Sequence, residues 1–148
     1  MSNKQSKVDF KKIIVESFNQ YTGENTEVLD KLYDDDVVFE DPLIKVSGLT
    51  DLKKYYKHAY SQVKSIEFDF KAIHPSGLTY CCEWDMTFSV TALNFGKPYT
   101  VRGASVITFS KKSDKVISHH DYLDIGEMVY EKIPGVGKLV RLMKSRLS

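Results

Sequence analysis

Apolar residues recur at helical intervals through the first third of the chain and at alternate positions through most of the remainder. Phe10, Ile13, Ile14 and Phe18 are spaced three or four residues apart, with Ser17 in the same stripe. That spacing predicts a helix from Val8 to Tyr21, capped by Asp9 and ended by Gly23. A short second helix is expected from Thr26 to Tyr33, and Asp34, Asp35 and Asp36 read as a charged turn. Val37 to Glu40 is a brief β-branched and aromatic strand, halted by Asp41 and Pro42 because proline cannot donate to a ladder. Thr50 then suits the cap of a third helix, whose Leu52, Tyr55, Tyr56, Ala59 and Val63 form an apolar and aromatic face.

Beyond this helix the period falls to two, the mark of strands with one buried face. Four strands are expected, over Ser65–His74, Leu78–Val90, Pro98–Phe109 and Lys115–Leu123. The turns between them are short and rich in Gly, Pro, Asn, Ser and Asp, which suits an antiparallel meander. Alternation is clearest where Tyr80, Cys82, Trp84, Met86 and Phe88 share one face, taken as inward. Two short C-terminal helices follow, Ile125–Lys132 and Val136–Leu147, separated by the break at Pro134-Gly135. Helices first and a long antiparallel sheet afterwards define an α+β fold, a cone in which the curved sheet wraps around the N-terminal helices. One domain is expected over residues 1–148, with an ordered core over about 8–133 and the last helix at 136–147.

Charge narrows the choice of partner. With 21 basic against 20 acidic residues the chain carries a net charge of +1, which offers nothing to nucleic acid. Met1 to Lys12 is too polar for a secretory leader, and no run approaches the roughly 20 apolar residues that cross a bilayer, so a cytoplasmic protein without stable membrane insertion is expected. Cys81 and Cys82 are strand neighbours on opposite faces, read as reduced structural thiols. His119 and His120 likewise face opposite ways, so no metal site is expected, nor any cofactor.

The order of elements, with the short strand ending Val37-Val38-Phe39-Glu40-Asp41-Pro42, resembles the nuclear transport factor 2-like superfamily, of cystatin-like architecture, over nearly the whole chain. Within it the likeness is to SnoaL-like proteins, with ketosteroid isomerase and limonene epoxide hydrolase as more distant kin. The ending His120-Asp121-Tyr122-Leu123-Asp124, with Tyr130-Glu131-Lys132-Ile133-Pro134, is similar to one SnoaL-like subgroup and names no reaction. Aligned from the Tyr33-Asp34-Asp35 turn, the resemblance places Asp41 on the isomerase's catalytic base and Tyr56 on a pocket aromatic. Ser17 and Ser105 stand where that enzyme has its two strong oxyanion donors, so its mechanism is not implied here. The resemblance turns His119, Asp121 and Leu123 inward, and an inward acid there is similar to SnoaL-type cyclases and the epoxide hydrolase. It also implies a homodimer paired through the outer sheet face, near Thr87, Ser89, Arg102 and Thr108.

Two constellations carry candidate chemistry. A carboxylate at Asp41 in the cone mouth, partly stripped of water, would serve as a general base; equally, Asp before Pro commonly ties down a turn through backbone N–H groups. His119 and Asp121 stand two apart on one strand face and would form a proton relay, or else a hydrogen-bonded wall. Tyr56, Trp84, Met86, Phe88, Ser105 and Tyr122 are the candidate ligand-binding set, although a packed core has the same composition. The expectation is therefore a cofactor-independent isomerase, cyclase or hydrolase acting on a small hydrophobic molecule, with a non-catalytic binding or interaction domain as the alternative. The final helix sets Lys138, Arg141, Lys144 and Arg146 against Leu139, Val140, Leu142, Met143 and Leu147. Such a helix either lies on an anionic membrane or docks its apolar side on the sheet or a partner subunit.

Overall fold

The computed structural model describes residues 7–147. Residues 1–6, which belong to the stretch read for a leader, lie outside the described residues, as does Ser148. Helix α1 spans Phe10–Gln20, with the Asp9 side chain accepting from the Lys12 amide as a cap, and α2 spans Glu27–Leu32. Strands β1 (Tyr33–Glu40) and β2 (Lys45–Ser47) precede α3 (Leu49–Tyr60). Then come β3 (Val63–Ser76), β4 (Thr79–Val90), β5 (Tyr99–Phe109) and β6 (Val116–Leu123), followed by α4 (Ile125–Met128) and α5 (Val136–Leu147).

The six strands form one sheet in the order β2-β1-β6-β5-β4-β3. Every neighbouring pair is antiparallel except β1 and β6, which run parallel with Phe39 opposite His119. A parallel pair needs a long crossover, and the α3-to-β5 excursion supplies it. A register shift between Phe70 and Ala72 inserts Lys71 as an extra residue in β3, a device that bends a strand. The open edge of β3 is covered from α1, where the Asn19 side chain both donates to the Phe68 carbonyl (3.1 Å) and accepts from the Phe68 amide (2.9 Å).

The inward set of β4 is as the alternation required: Cys82, Trp84, Met86 and Phe88 are buried, and they meet Ile14, Leu29 and Leu32 from the helices. At Gly103, opposite Trp84 across the β4–β5 ladder, an added Cβ would lie 2.3 Å from the indole ring, so only glycine lets that ring lie flat on the strand. Burial pushes the Cys82 thiol up to about 12, which keeps it protonated and unreactive.

Several local expectations are corrected. Tyr33 caps the end of α2, its amide donating to the Leu29 carbonyl, and at once opens β1; Asp34–Asp36 are no turn but lie within that strand at its irregular stretch, where Asp34 accepts from the Asp36 amide. The cap of α3 is Gly48, at φ +92°, rather than Thr50, because the chain must reverse sharply out of the short β2. The helix expected over Ile125–Lys132 is broken at Val129 into α4 and a single 3-10 turn at Tyr130–Lys132. Ser89, expected on an outer pairing face, is buried and donates to the Gly96 carbonyl. The last helix has its expected bounds, but it does not dock its apolar side on the sheet: α5 packs on the 3-10 turn through its polar edge and leaves its apolar stripe exposed.

Candidate functional site

Between the helices and the inner sheet face lies a cavity of about 210 Å³. Its wall is largely aromatic and aliphatic, contributed by Phe18, Phe39, Tyr55, Tyr56, Phe68, Trp84, Met86 and Phe88 among others. Pro42, Leu43 and Ala59 line it while remaining exposed, and so mark its mouth. Asp41, His119 and Asp121 are its ionisable acid–base side chains apart from tyrosines. The two candidate carboxylates therefore share one cavity, the condition on which a two-carboxylate site depends.

The parallel pairing of β1 with β6 builds the polar cluster: Tyr33 starts opposite Val116 and Phe39 lies opposite His119, so the two strands run side by side and the Tyr33 side chain reaches the His119 ring. The Tyr33 hydroxyl lies 2.7 Å from His119 Nδ1, and His119 Nε2 lies 2.7 Å from Asp121 Oδ1. Ser105, opposite Asp121 in the β5–β6 ladder, donates its hydroxyl to the same carboxylate oxygen at 2.5 Å. Trp84 Nε1 in turn donates to Ser105 Oγ at 2.9 Å, and the Tyr33 and Tyr56 hydroxyls are 3.1 Å apart. His119 is 2% exposed and Asp121 19%.

The directions of these bonds follow from donor capacity. Indole N–H only donates, so Ser105 accepts from Trp84 and gives its own proton to Asp121. With Asp121 ionised, His119 Nε2 carries a proton toward it. Neutral His119 then accepts at Nδ1 from Tyr33, which accepts from Tyr56. A second proton on His119 reverses both hydroxyls, and the Tyr56 O–H turns into the cavity as a donor. Burial, first, and then neighbouring groups including the Asp121 charge raise the Tyr33 and Tyr56 hydroxyls well above the ordinary phenol range, so both stay protonated. Asp121 Oδ2 has no hydrogen-bond partner among the described residues.

Asp41 is differently placed. Its Oδ1 accepts from the backbone amides of Leu43 (2.7 Å) and Ile44 (3.0 Å), and its Oδ2 accepts the Tyr55 hydroxyl. The turn-tying reading and the cavity-lining reading both apply to it, and neither oxygen is left without a partner. Tyr56, Trp84, Met86 and Phe88 line the cavity as the sequence suggested, while Ser105 lies fully buried one layer behind Asp121. Tyr122 does not belong to the ligand-binding set: it is 53% exposed on the outer sheet face, stacked on His120, because it alternates with the inward His119, Asp121 and Leu123. Tyr33 is the polar site residue the sequence reading missed, hidden by its assignment to a helix end; Tyr55, read on the aromatic face of α3, lines the cavity, and its bond to Asp41 is what the sequence could not show. Among the described residues no group of three His, Cys, Asp or Glu is placed to hold a metal ion.

A curved sheet closed over an apolar cavity, with an acid–base cluster on one wall, is the ketosteroid isomerase-like class of cone-shaped α+β domain. The chain belongs to the SnoaL-like domain family, whose model matches residues 14–119. No curated protein sequence matches it. Among solved structures, an NTF2-like protein of unknown function from Burkholderia pseudomallei has a TM-score of 0.71 at 14% identity, covering 84% of this chain and 97% of that one. A protein of ketosteroid isomerase-like fold from Catenulispora acidiphila, in complex with trimethylamine, has a TM-score of 0.70 at 15% identity, covering 82% of this chain and 93% of that one. A provisionally assigned SnoaL-like polyketide cyclase of Shewanella denitrificans has a TM-score of 0.69 at 17% identity, covering 80% of this chain and 92% of that one. Identities this low establish the shared fold alone.

Proposed function

We propose that the cavity binds a small, mostly apolar molecule with one hydrogen-bonding oxygen, and that Asp121 moves a proton on it without a cofactor, in an isomerase- or cyclase-type step. The observation that carries this reading is a carboxylate with one oxygen unpartnered among the described residues, backed by a buried imidazole, on the wall of a mostly apolar cavity. Asp121 Oδ2 is the base. Its Oδ1 is held by His119 and Ser105, which fixes its position and stabilises the anion before reaction. With His119 doubly protonated before the step, the Tyr33–Tyr56 hydroxyl pair turns the Tyr56 O–H toward the oxygen that gains charge as the carbon gives its proton to Asp121 Oδ2. Asp41 keeps a supporting role as a second carboxylate near the mouth.

Size restricts the ligand. At about 210 Å³ the cavity exceeds the one of roughly 150 Å³ that takes up benzene, and falls below the roughly 300–1,000 Å³ of drug-sized sites. One ring with short substituents fits; a fused tetracycle does not. The test is proton exchange at carbon: a panel of monocyclic ketones and enones in deuterium oxide, followed by NMR with wild-type protein and with Asp121→Asn. Exchange of an α-hydrogen that depends on Asp121 supports the proposal. Ligands that bind, seen through Trp84 fluorescence, and never exchange would make this a binding domain instead. The same reading includes the homodimer, whose outer face carries paired Thr79–Thr108 and Thr87–Thr100 hydroxyls and the Arg102–Asp85 ion pair; light scattering of the purified chain decides it.

A further inference from the structure

Helix α5 is built the wrong way round for a helix that merely completes a core. Its sequence holds four basic residues and no acidic one. The edge turned to the body is polar and tightly fitted: Gly137 is buried where an added Cβ would meet the Glu131 carbonyl at 2.4 Å, and Arg141 Nη1 donates to that carbonyl at 3.1 Å. Lys144 bridges Asp124 Oδ2 (2.6 Å) and Glu131 Oε1 (2.7 Å). The apolar stripe points away from the body, with Leu139 58%, Met143 59% and Leu147 90% exposed at four-residue intervals.

A second apolar group stands beside it. Phe95, 86% exposed, is held outward at the tip of the β4–β5 connection by a left-handed backbone, φ 55°. It lines one shallow surface groove together with Pro134, Lys138 and Arg141 at the start of α5. The α5 stripe is thus an apolar ridge with Lys138 and Arg146 on the same helix, and Phe95 stands across the groove from Lys138, with Glu131 and Arg141 between.

The geometry points to an anionic lipid surface as the occupant of this ridge. An in-plane helix buries its apolar face at the acyl boundary while basic side chains beside that face, here Lys138 and Arg146 rather than the body-bound Arg141 and Lys144, meet anionic headgroups. A second copy of the chain is disfavoured by charge, since pairing α5 with α5 brings two all-basic helices together. The arrangement also serves the apolar cavity: Leu93, two residues before Phe95, and Ile125 and Met128 of α4 belong to its wall, so one end of the cavity adjoins the lipid-facing ridge. This last point, that the substrate is drawn from the membrane phase, rests on the proposed function; the docking itself does not.

The experiment is sedimentation of the full chain with phosphatidylcholine vesicles, with and without phosphatidylglycerol, at low and high salt. Binding is expected only with phosphatidylglycerol, and weakens as salt rises. Charge reversal at Lys138 or Arg146 is expected to lower it by at least about fivefold each, the contribution of one basic side chain near such a surface. Leu139→Asp with Met143→Asp, both exposed and so harmless to folding, removes it. Asp121→Asn binds vesicles like the wild type, which separates this result from any failure of the catalytic proposal. Wild-type protein that stays in the supernatant with phosphatidylglycerol vesicles at low salt overturns the inference. So does an aspartate double variant that still sediments, or a light-scattering dimer that this variant dissociates.

Discussion

Two carboxylates line the same cavity, and their surroundings assign them opposite work. At the mouth, Asp41 is consumed by its own turn: two backbone amides occupy Oδ1 and the Tyr55 hydroxyl occupies Oδ2. At the inner end of β6, Asp121 has one oxygen held by His119 and Ser105 and the other without a partner among the described residues. A carboxylate whose lone pairs are already satisfied is a structural element, whereas one that is fixed through a single oxygen is poised to accept a proton. Proximity to a cavity does not distinguish them; the accounting of hydrogen bonds does.

The sharpest way to break this comparison is to neutralise each in turn. Asp121→Asn removes the proposed base and is expected to lower proton-exchange activity by about a hundredfold to ten-thousandfold, the usual contribution of a positioned acid–base group. Asp41→Asn keeps an amide oxygen for Leu43 and Ile44, and its new N–H₂ can donate to Tyr55. Its activity is expected to stay within about tenfold and its stability within about 1 kcal/mol of wild type. Rates from NMR exchange and midpoints from urea unfolding decide; the reverse ranking would exchange the two roles.

Next in size is a change that strikes the Asp121 wall without touching a polar group. Gly103→Ala places a Cβ 2.3 Å from the Trp84 ring, and that ring cannot simply tilt away because its Nε1 is held by Ser105. Overpacking of this kind typically costs about 1–3 kcal/mol, and the rigid neighbour puts the expected loss near 3 kcal/mol in urea unfolding. The Trp84–Ser105–Asp121 chain is displaced with it, so ligand binding at the inner wall weakens while the Asp41 turn is undisturbed.

How much of this was legible in the sequence differs between the two walls. The period-two alternation of Cys82, Trp84, Met86 and Phe88 is a local signal that put those side chains on the inner face, and the spacing of His119 and Asp121 put both on one face, which the family resemblance turned inward. Parity alone also excluded Tyr122, which the sequence reading nevertheless grouped with the ligand contacts. Tyr33 lies 86 residues from its partner His119, and only the parallel β1–β6 pairing joins them; no local pattern reports such a pairing. Asp41 was read both ways because the sequence of a turn is the same whether or not its second oxygen is taken, and the taker, Tyr55, comes from another element. The α5 stripe was correctly read as apolar, but which edge a helix docks depends on small residues such as Gly137 and on distant acids at Asp124 and Glu131.

The smallest effect tests the tyrosines behind Asp121 through pH. Burial is the main reason the Tyr33 and Tyr56 hydroxyls are raised above the ordinary value of 10.0, with the Asp121 charge adding to it. A group with a raised folded pKa stabilises the fold fully below its unfolded pKa and loses that contribution as pH climbs toward the folded one. Stability attributable to these hydroxyls is thus constant below pH 10 and falls above it, since the unfolded chain releases protons that the folded one retains. Each buried hydroxyl contributes a slope that approaches about 1.4 kcal/mol per pH unit well above pH 10, and about 1 kcal/mol in all between pH 10 and 11, where the unfolded group is still titrating. Tyr56→Phe removes one such contribution, so its urea-unfolding stability should decline more gently than wild type between pH 10 and 11, by that one increment. Tyr33→Phe should do the same while also leaving His119 Nδ1 without its donor, which lowers stability at neutral pH as well. Parallel alkaline slopes for wild type and Tyr56→Phe would mean that Tyr56 is solvated, and the hydroxyl relay facing the cavity would lose its support.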